Sequence, residues 1–197
     1  MATLFISDLH LDPGRPDIID HFLTFLERDA AGADALYILG DLFEAWIGDD
    51  DPEPEKRRAV QAIKAYSRGG PPCYFMRGNR DFLTGQVFAS HAGVKILPDP
   101  SVVELDGTQV LLMHGDTLCT DDTEYQTFRS MVRDPAWQQH FLEQTLEHRL
   151  AMAAQARDAS RQHTGSAPAA IMDVNDEAVV AALRRAGVDT LIHGHTH

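Results

Sequence analysis

Basic side chains are scarce in this chain: 17 Lys and Arg stand against 30 Asp and Glu, a net charge of −13. That balance excludes a broad basic surface, so sequence-independent nucleic-acid binding is not expected. Thiols are scarcer still. Cys73, in an apolar run, and Cys119, in a polar loop, are the two cysteines among 197 residues. They build no disulfide framework, read as packing residues and point to a reduced, cytosolic setting. No stretch approaches the roughly 20 apolar residues of a membrane-spanning helix, which excludes spanning but not resting on a membrane surface. Near the start, Ser7-Asp8 breaks the first hydrophobic run and no basic segment precedes it, so it reads as a strand and not as a leader.

What is present suits one α/β domain. Hydrophobic residues make up 44% of the chain, and a chain of this size buries roughly 70% of its unfolded surface. Thr3 to Ile6 reads as a strand that delivers Asp8 and His10 to its C-terminal end. Ile18, Ile19, Phe22, Phe25 and Leu26 recur at helical spacing, and a buried strand from Ala35 to Leu39 runs into Gly40-Asp41. Pro52 and Pro54 mark a helix whose face is Ala59, Ile63 and Tyr66, with Gly69-Gly70-Pro71-Pro72 ending it. The acidic loop Asp49 to Asp51 lacks the glycine and distal glutamate of a calcium loop, and reads as a solvated turn. A third strand, Cys73 to Met76, leads to Gly78-Asn79. Alternating strands and helices favour a parallel sheet with right-handed crossovers.

Beyond a helix near Gly85 to Ser90 the pattern changes. Val102 to Leu105, the turn pair Asp106-Gly107 and Thr108 to Met113 read as a hairpin. Two β regions with helices outside suggest a layered sandwich. Residues 121 to 159 are helical and look inserted: Tyr125, Phe128 and Val132 line one face, while Leu142, Leu146 and Leu150 step by four beside Trp137 and Phe141. These stripes suit packing on the body, or an apolar slot open to a lipid chain. Arg161 to Pro168 reads as a polar loop, Asp176 to Ala186 as a helix ended by Gly187, and Thr190 to Ile192 as the last strand. The expected organisation is a core from 1 to 120 and 168 to 197, interrupted by a helical cap from 121 to 167.

The chemistry lies in five ordered groups, most of them at the ends of apolar strands: Asp8-Leu9-His10, Gly40-Asp41, Gly78-Asn79, His114 and Gly194-His195-Thr196-His197. Carboxylates and imidazoles without thiolates suit a hard-to-borderline divalent ion. Asp8, His10, Asp41 and His197 would hold one ion; Asp41, Asn79, His114 and His195 would hold a second, with Asp41 bridging. Such mixed shells favour Mn²⁺, with Fe²⁺, Co²⁺ or Zn²⁺ as alternatives. Asp81 and Asp116 are expected to orient ligands. His21, His91, His140, His148 and His163 belong to no motif and read as structural.

These groups together resemble the signature of the calcineurin-like metallophosphoesterases. The resemblance implies a four-layer α/β/β/α sandwich, a dinuclear metal centre and hydrolysis of a phosphoester or phosphoanhydride. Many members carry histidine after the Gly-Asn pair as general acid; here the residue is Arg80. Arginine binds phosphate but does not donate a proton. A phosphate leaving group, with a second pKa near 6, needs no such donor, so Arg80 tilts the substrate toward a pyrophosphate.

The stretches from Gly115 to Asp122, Tyr125-Gln126 and Ile171 to Asn175 are similar to the branch of that family acting on UDP-2,3-diacylglucosamine in lipid A biosynthesis. That branch implies attack by metal-bound hydroxide on the α-phosphorus, an acyl-binding cap, and a peripheral monomer on the cytoplasmic face of the inner membrane. It also implies that Asp41, Asn79, Arg80 and His114 are catalytic, and that Asn79, Arg80, Asp122, Ser160, Thr164, Ala167 and His195 contact substrate; Arg157 reads either as a cap residue reaching the phosphate or as a solvated helix arginine. Thr164 and Ala167 depart from the asparagine and lysine common there. The resemblance further implies residues beyond His197 that complete the second sheet, without which that sheet would expose an edge. Two other readings are a hydrolase of soluble nucleotide pyrophosphates and a metal-binding relative without catalysis.

Overall fold

The computed structural model describes residues 2–166 and 169–196. The first sheet is parallel, in the order β1 (Thr3–Ile6), β2 (Ala35–Ile38), β3 (Cys73–Met76) and β4 (Lys95–Leu97). Its connections are α1 (Pro16–Arg28), α2 (Pro54–Gly69) and α3 (Gln86–Ala92). Strands added in one direction by right-handed crossovers place all three helices on one face of the sheet. Ile19, Phe22, Ala59, Ile63 and Phe88 from those helices meet Leu36, Ile38 and Phe75 from the strands in the largest core cluster.

The second sheet contains β5 (Ser101–Leu105), β6 (Thr108–Met113) and β7 (Thr190–His193), with β5 antiparallel and β7 parallel to β6. Alternation along the strands builds the layers. On β2, Leu36 and Ile38 face the helices, while Ala35 and Tyr37 join Val110 and Leu112 of β6 between the sheets. Leu111 and Met113 of β6 turn outward and pack on Val179, Ala182 and Ala186 of α8 (Asp176–Ala186). The result is the expected helix–sheet–sheet–helix stacking.

Between the two parts of this body lie α4 (Thr123–Val132), α5 (Pro135–Leu142), α6 (Leu146–Ser166) and the short α7 (Ala169–Met172). Several local expectations need correction. Residues 161–166 continue α6 instead of forming a polar loop, and β4 and α7 carry too few residues to show a period. The leucine ladder does not form one buried stripe: Leu146 packs against the main core, whereas Leu142 is 42% and Leu150 53% exposed. In the acidic turn Asp49 to Asp51, Asp50 is solvated as expected, but its neighbours are not. Asp49 accepts hydrogen bonds from Trp46 Nε1 and the N–H groups of Gly85 and Phe88. Asp51 is buried against Lys56 at 2.6 Å, and Asp50 holds Arg149 of α6.

Candidate metal centre and adjoining cavity

Every strand that carries a motif ends at the same rim. Asp8 and His10 follow β1, Asp41 follows β2, Asn79 follows β3, His114 follows β6 and His195 follows β7. Asp8, Asp41, His114 and His195 each bring one ligand atom to within 4.8 Å of the others. Asp41 is 2% and His114 0% exposed. The two Asp41 oxygens face different groups: Oδ1 lies 3.7 Å from His114 Nε2 and Oδ2 lies 3.9 Å from His10 Nε2. A carboxylate so placed can bridge two ions. Asn79 Oδ1 lies 2.9 Å from His114 Nε2.

The local backbone explains the motif glycines. A Cβ at Gly78 would lie 2.1 Å from Asp41 Oδ1, and one at Gly40 would lie 2.6 Å from His114 Nδ1. At Gly194 it would lie 2.6 Å from Asp8 Oδ2. Asp8, His10, Asp41 and His195 all have positive φ, a left-handed conformation that non-glycine residues adopt at a cost. Asp81 holds this backbone in place: its carboxylate accepts the N–H groups of Asp41, Leu42, Phe43 and Gly78. It therefore fixes the loops rather than the ligand side chains. Asp116 also has a different role from the one expected, because its carboxylate accepts Tyr125 OH at 2.8 Å and Arg129 Nε at 2.7 Å, tying α4 to the rim.

These residues fit divalent ions. Burial, with the nearby Asp81 charge, pushes the Asp41 carboxyl up to about 7 despite the opposing influence of His114. Cations would restore its ionised form. His114 Nδ1 lies 2.8 Å from the Leu39 carbonyl, which accepts its proton and leaves the Nε2 lone pair directed at the site. Glu44 lies 3.2 Å from His10 Nδ1 and serves that ring similarly. Burial disfavours protonated His10, but Glu44 and Asp41 outweigh it and raise its pKa. Burial lowers His195 to about 4, keeping it neutral for ligation.

Beside the centre opens a cavity of about 600 Å³, lined by Trp46, Phe82, Phe128, Trp137, Phe141 and Met152. Its polar end carries Asn79, Arg80, Arg157 and Ser160. Arg80 donates its backbone N–H to Asp41 Oδ1 at 2.7 Å and Nη2 to Ser160 Oγ at 3.2 Å. Its buried Nε has no partner among the described residues, leaving a donor for an anion. Asp122 is buried at the start of α4 and meets His163. Thr164 is exposed and donates to the Ser160 carbonyl, so its hydroxyl serves its own helix. His197 and Ala167 lie outside the described residues. Sequence reasoning gave Glu44 no role and read His163 as structural, although each stands close to a named site residue, Asp41 and Thr164.

The sequence profile of the calcineurin-like phosphoesterases matches residues 1–197. This chain belongs to that family. Among its calcineurin-like relatives, a UDP-2,3-diacylglucosamine hydrolase from Stenotrophomonas maltophilia (strain K279a) is 56% identical over 204 residues, covering all of this chain and 82% of that protein. One of the same name from Yersinia pestis bv. Antiqua (strain Angola) is 54% identical over 197 residues with the same coverage. The fold is shared with a crystal structure of a protein of unknown function from Aquifex aeolicus. That match has a TM-score of 0.50 at 19% identity and covers 99% of this chain and 78% of the other. The calcineurin-like fold implies divalent metal ions, and the converging Asp8, Asp41, His114 and His195 supply a place for them.

Proposed function

We propose that this chain hydrolyses the pyrophosphate bond of UDP-2,3-diacylglucosamine, giving UMP and 2,3-diacylglucosamine 1-phosphate. The observation that carries this reading is the cavity. Its polar end, at Asn79, Arg80 and Ser160, adjoins the metal centre, and its body is apolar and aromatic. A molecule with phosphate at one end and acyl chains at the other matches both regions, whereas a soluble nucleotide would leave the aromatic body uncovered. Relatives more than half identical along the whole chain bear the name of that hydrolase. In this reading residues 121–167 form a cap that holds acyl chains over a core built from 1–120 and 168–197.

Asp8, His10, Asp41 and His197 would hold one ion and Asp41, Asn79, His114 and His195 the other, with Mn²⁺ favoured by the mixed oxygen and nitrogen donors. When bound, the ions supply Lewis acidity toward phosphate oxygens and bring the ionisation of water into the neutral range. The protein's own contribution is orientation. Asp41 is pinned by the Arg80 N–H, and His114 by the Leu39 carbonyl. The Arg80 guanidinium, whose Nε has no partner among the described residues, binds the departing sugar phosphate. Water oxygen bonds to the α-phosphorus as the bond to the bridging oxygen breaks; the water's protons pass to solvent, and the phosphate leaves without needing one. Asp122, Arg157, Ser160 and His195 complete the substrate contacts.

No described helix is long and apolar enough to cross a membrane. In this reading the enzyme is a peripheral monomer on the cytoplasmic face of the inner membrane, where it meets a two-chain glycolipid substrate. Exposed Phe128 and Met131 on α4 support such contact. Hydrolysis with Mn²⁺ in H₂¹⁸O, comparing UDP-2,3-diacylglucosamine with UDP-N-acetylglucosamine, tests the reading. The expected result is strong preference for the acylated substrate, ¹⁸O in UMP, and loss of turnover in Asp41→Ala. Equal rates on both substrates would replace it with a soluble pyrophosphatase.

A further inference from the structure

Two polar contacts join the last turns of α6 to the rest of the cavity wall, one helical turn apart. Arg80 Nη2 donates to Ser160 Oγ at 3.2 Å. His163 Nε2 lies 2.7 Å from Asp122 Oδ2, and both His163 and Ser160 line the cavity. The Asp122 side chain is only 7% exposed. Its second oxygen accepts the Tyr125 N–H at 3.0 Å and caps α4. The imidazole donor is therefore the side-chain counterpart of a helix cap on a buried carboxylate, whose loss would leave that oxygen poorly solvated. The other ring nitrogen of His163 lies 3.4 Å from Glu124 Oε2, so the first turn of α4 faces both edges of the ring. From there the linkage runs inward: Tyr125 OH donates to Asp116, and the Tyr125 ring lies 5.8 Å from that of His195.

We propose that His163 is a positioning residue for the hydrolysis. Acting through Asp122, it clasps α6 to the first turn of α4 and closes the cavity around the sugar-phosphate end of the substrate. This rests on the function proposed above. The clasp acts on binding rather than on the metal centre: with it open, Asp122 and Ser160 lose their mutual alignment, while Asp41, His114 and their neighbours keep theirs.

The test uses the full Mn²⁺-loaded chain with His163→Ala and His163→Gln; glutamine restores an N–H donor of similar reach. Backbone amide exchange over residues 157–165 and 122–126 is read beside steady-state kinetics on UDP-2,3-diacylglucosamine. His163→Ala should speed exchange in both segments. It should also raise KM roughly tenfold with kcat within about twofold, the loss of one hydrogen bond to a charged group. His163→Gln should recover most of both effects. Unchanged exchange in His163→Ala, a fall in kcat at constant KM, or a glutamine variant as defective as the alanine one overturns the proposal. A wild-type chain that fails to turn over this substrate sinks the substrate reading instead, and the exchange measurement still decides the clasp.

Discussion

At Asp8, His10, Asp41 and His195 the backbone takes the left-handed conformation that L side chains avoid. Such strain persists where surrounding bonds over-determine it, and here Asp81 supplies several of those bonds. The adjacent glycines make the tight approach possible. Gly78→Ala would drive a methyl to 2.1 Å from Asp41 Oδ1 and 2.3 Å from Asp41 N. It should lower activity by on the order of 100-fold, the cost of displacing a reacting group by about 1 Å, and elemental analysis should show less bound metal. Residue motifs were legible in the sequence because each pairs a ligand type with a glycine or a second ligand at the end of an apolar run. Glu44 and His163 were not. Their partners come from His10 and Asp122, and a single sequence does not display such pairings.

Helical elements were legible where an apolar stripe drove them and obscure where it did not. Past Ala159 the chain reads Ser-Arg-Gln-His-Thr-Gly-Ser, a polar run with weak helix formers. The last turns of α6 nevertheless stay helical, because Ser160 and His163 are bonded to Arg80 and Asp122. Tertiary contacts override propensity there. The other end of α6 is held by Arg149, 3% exposed, which donates to the Ile47 carbonyl at 2.8 Å and to both oxygens of Asp50. Arg149→Met should destabilise the chain by roughly 1–3 kcal/mol, the range for charge-assisted hydrogen bonds, read as a lower Tm. The hydrogen bond from Arg149 holds the Asp50 carboxyl below its ordinary value of 3.8. A depressed carboxylate contributes stability above the unfolded value and loses it as pH falls through the folded one. The Tm difference between wild type and Arg149→Met should therefore be constant above about pH 3.8 and shrink below it.

The layers of the whole molecule follow from strand alternation, which is why the sandwich could be read from apolar runs; the three-residue β4 was too short to announce itself. What alternation does not reveal is that the two sheets meet at the candidate metal-binding residues. Asp8 and Asp41 leave the first sheet, His114 and His195 the second, so bound ions would fasten one sheet to the other. Removing both with a chelator should lower Tm by about 10–20 °C, taking each of two ions near 100-fold above its Kd and a domain of this length. Differential scanning calorimetry with and without Mn²⁺ measures it. Arg80 extends the same logic to substrate choice. Its main chain is fastened to Asp41 and its guanidinium touches Ser160, so one residue spans the interval from the candidate metal centre to the last turns of α6. That interval works as a fixed gauge. In the function proposed above, head groups of another size would fall out of step with it.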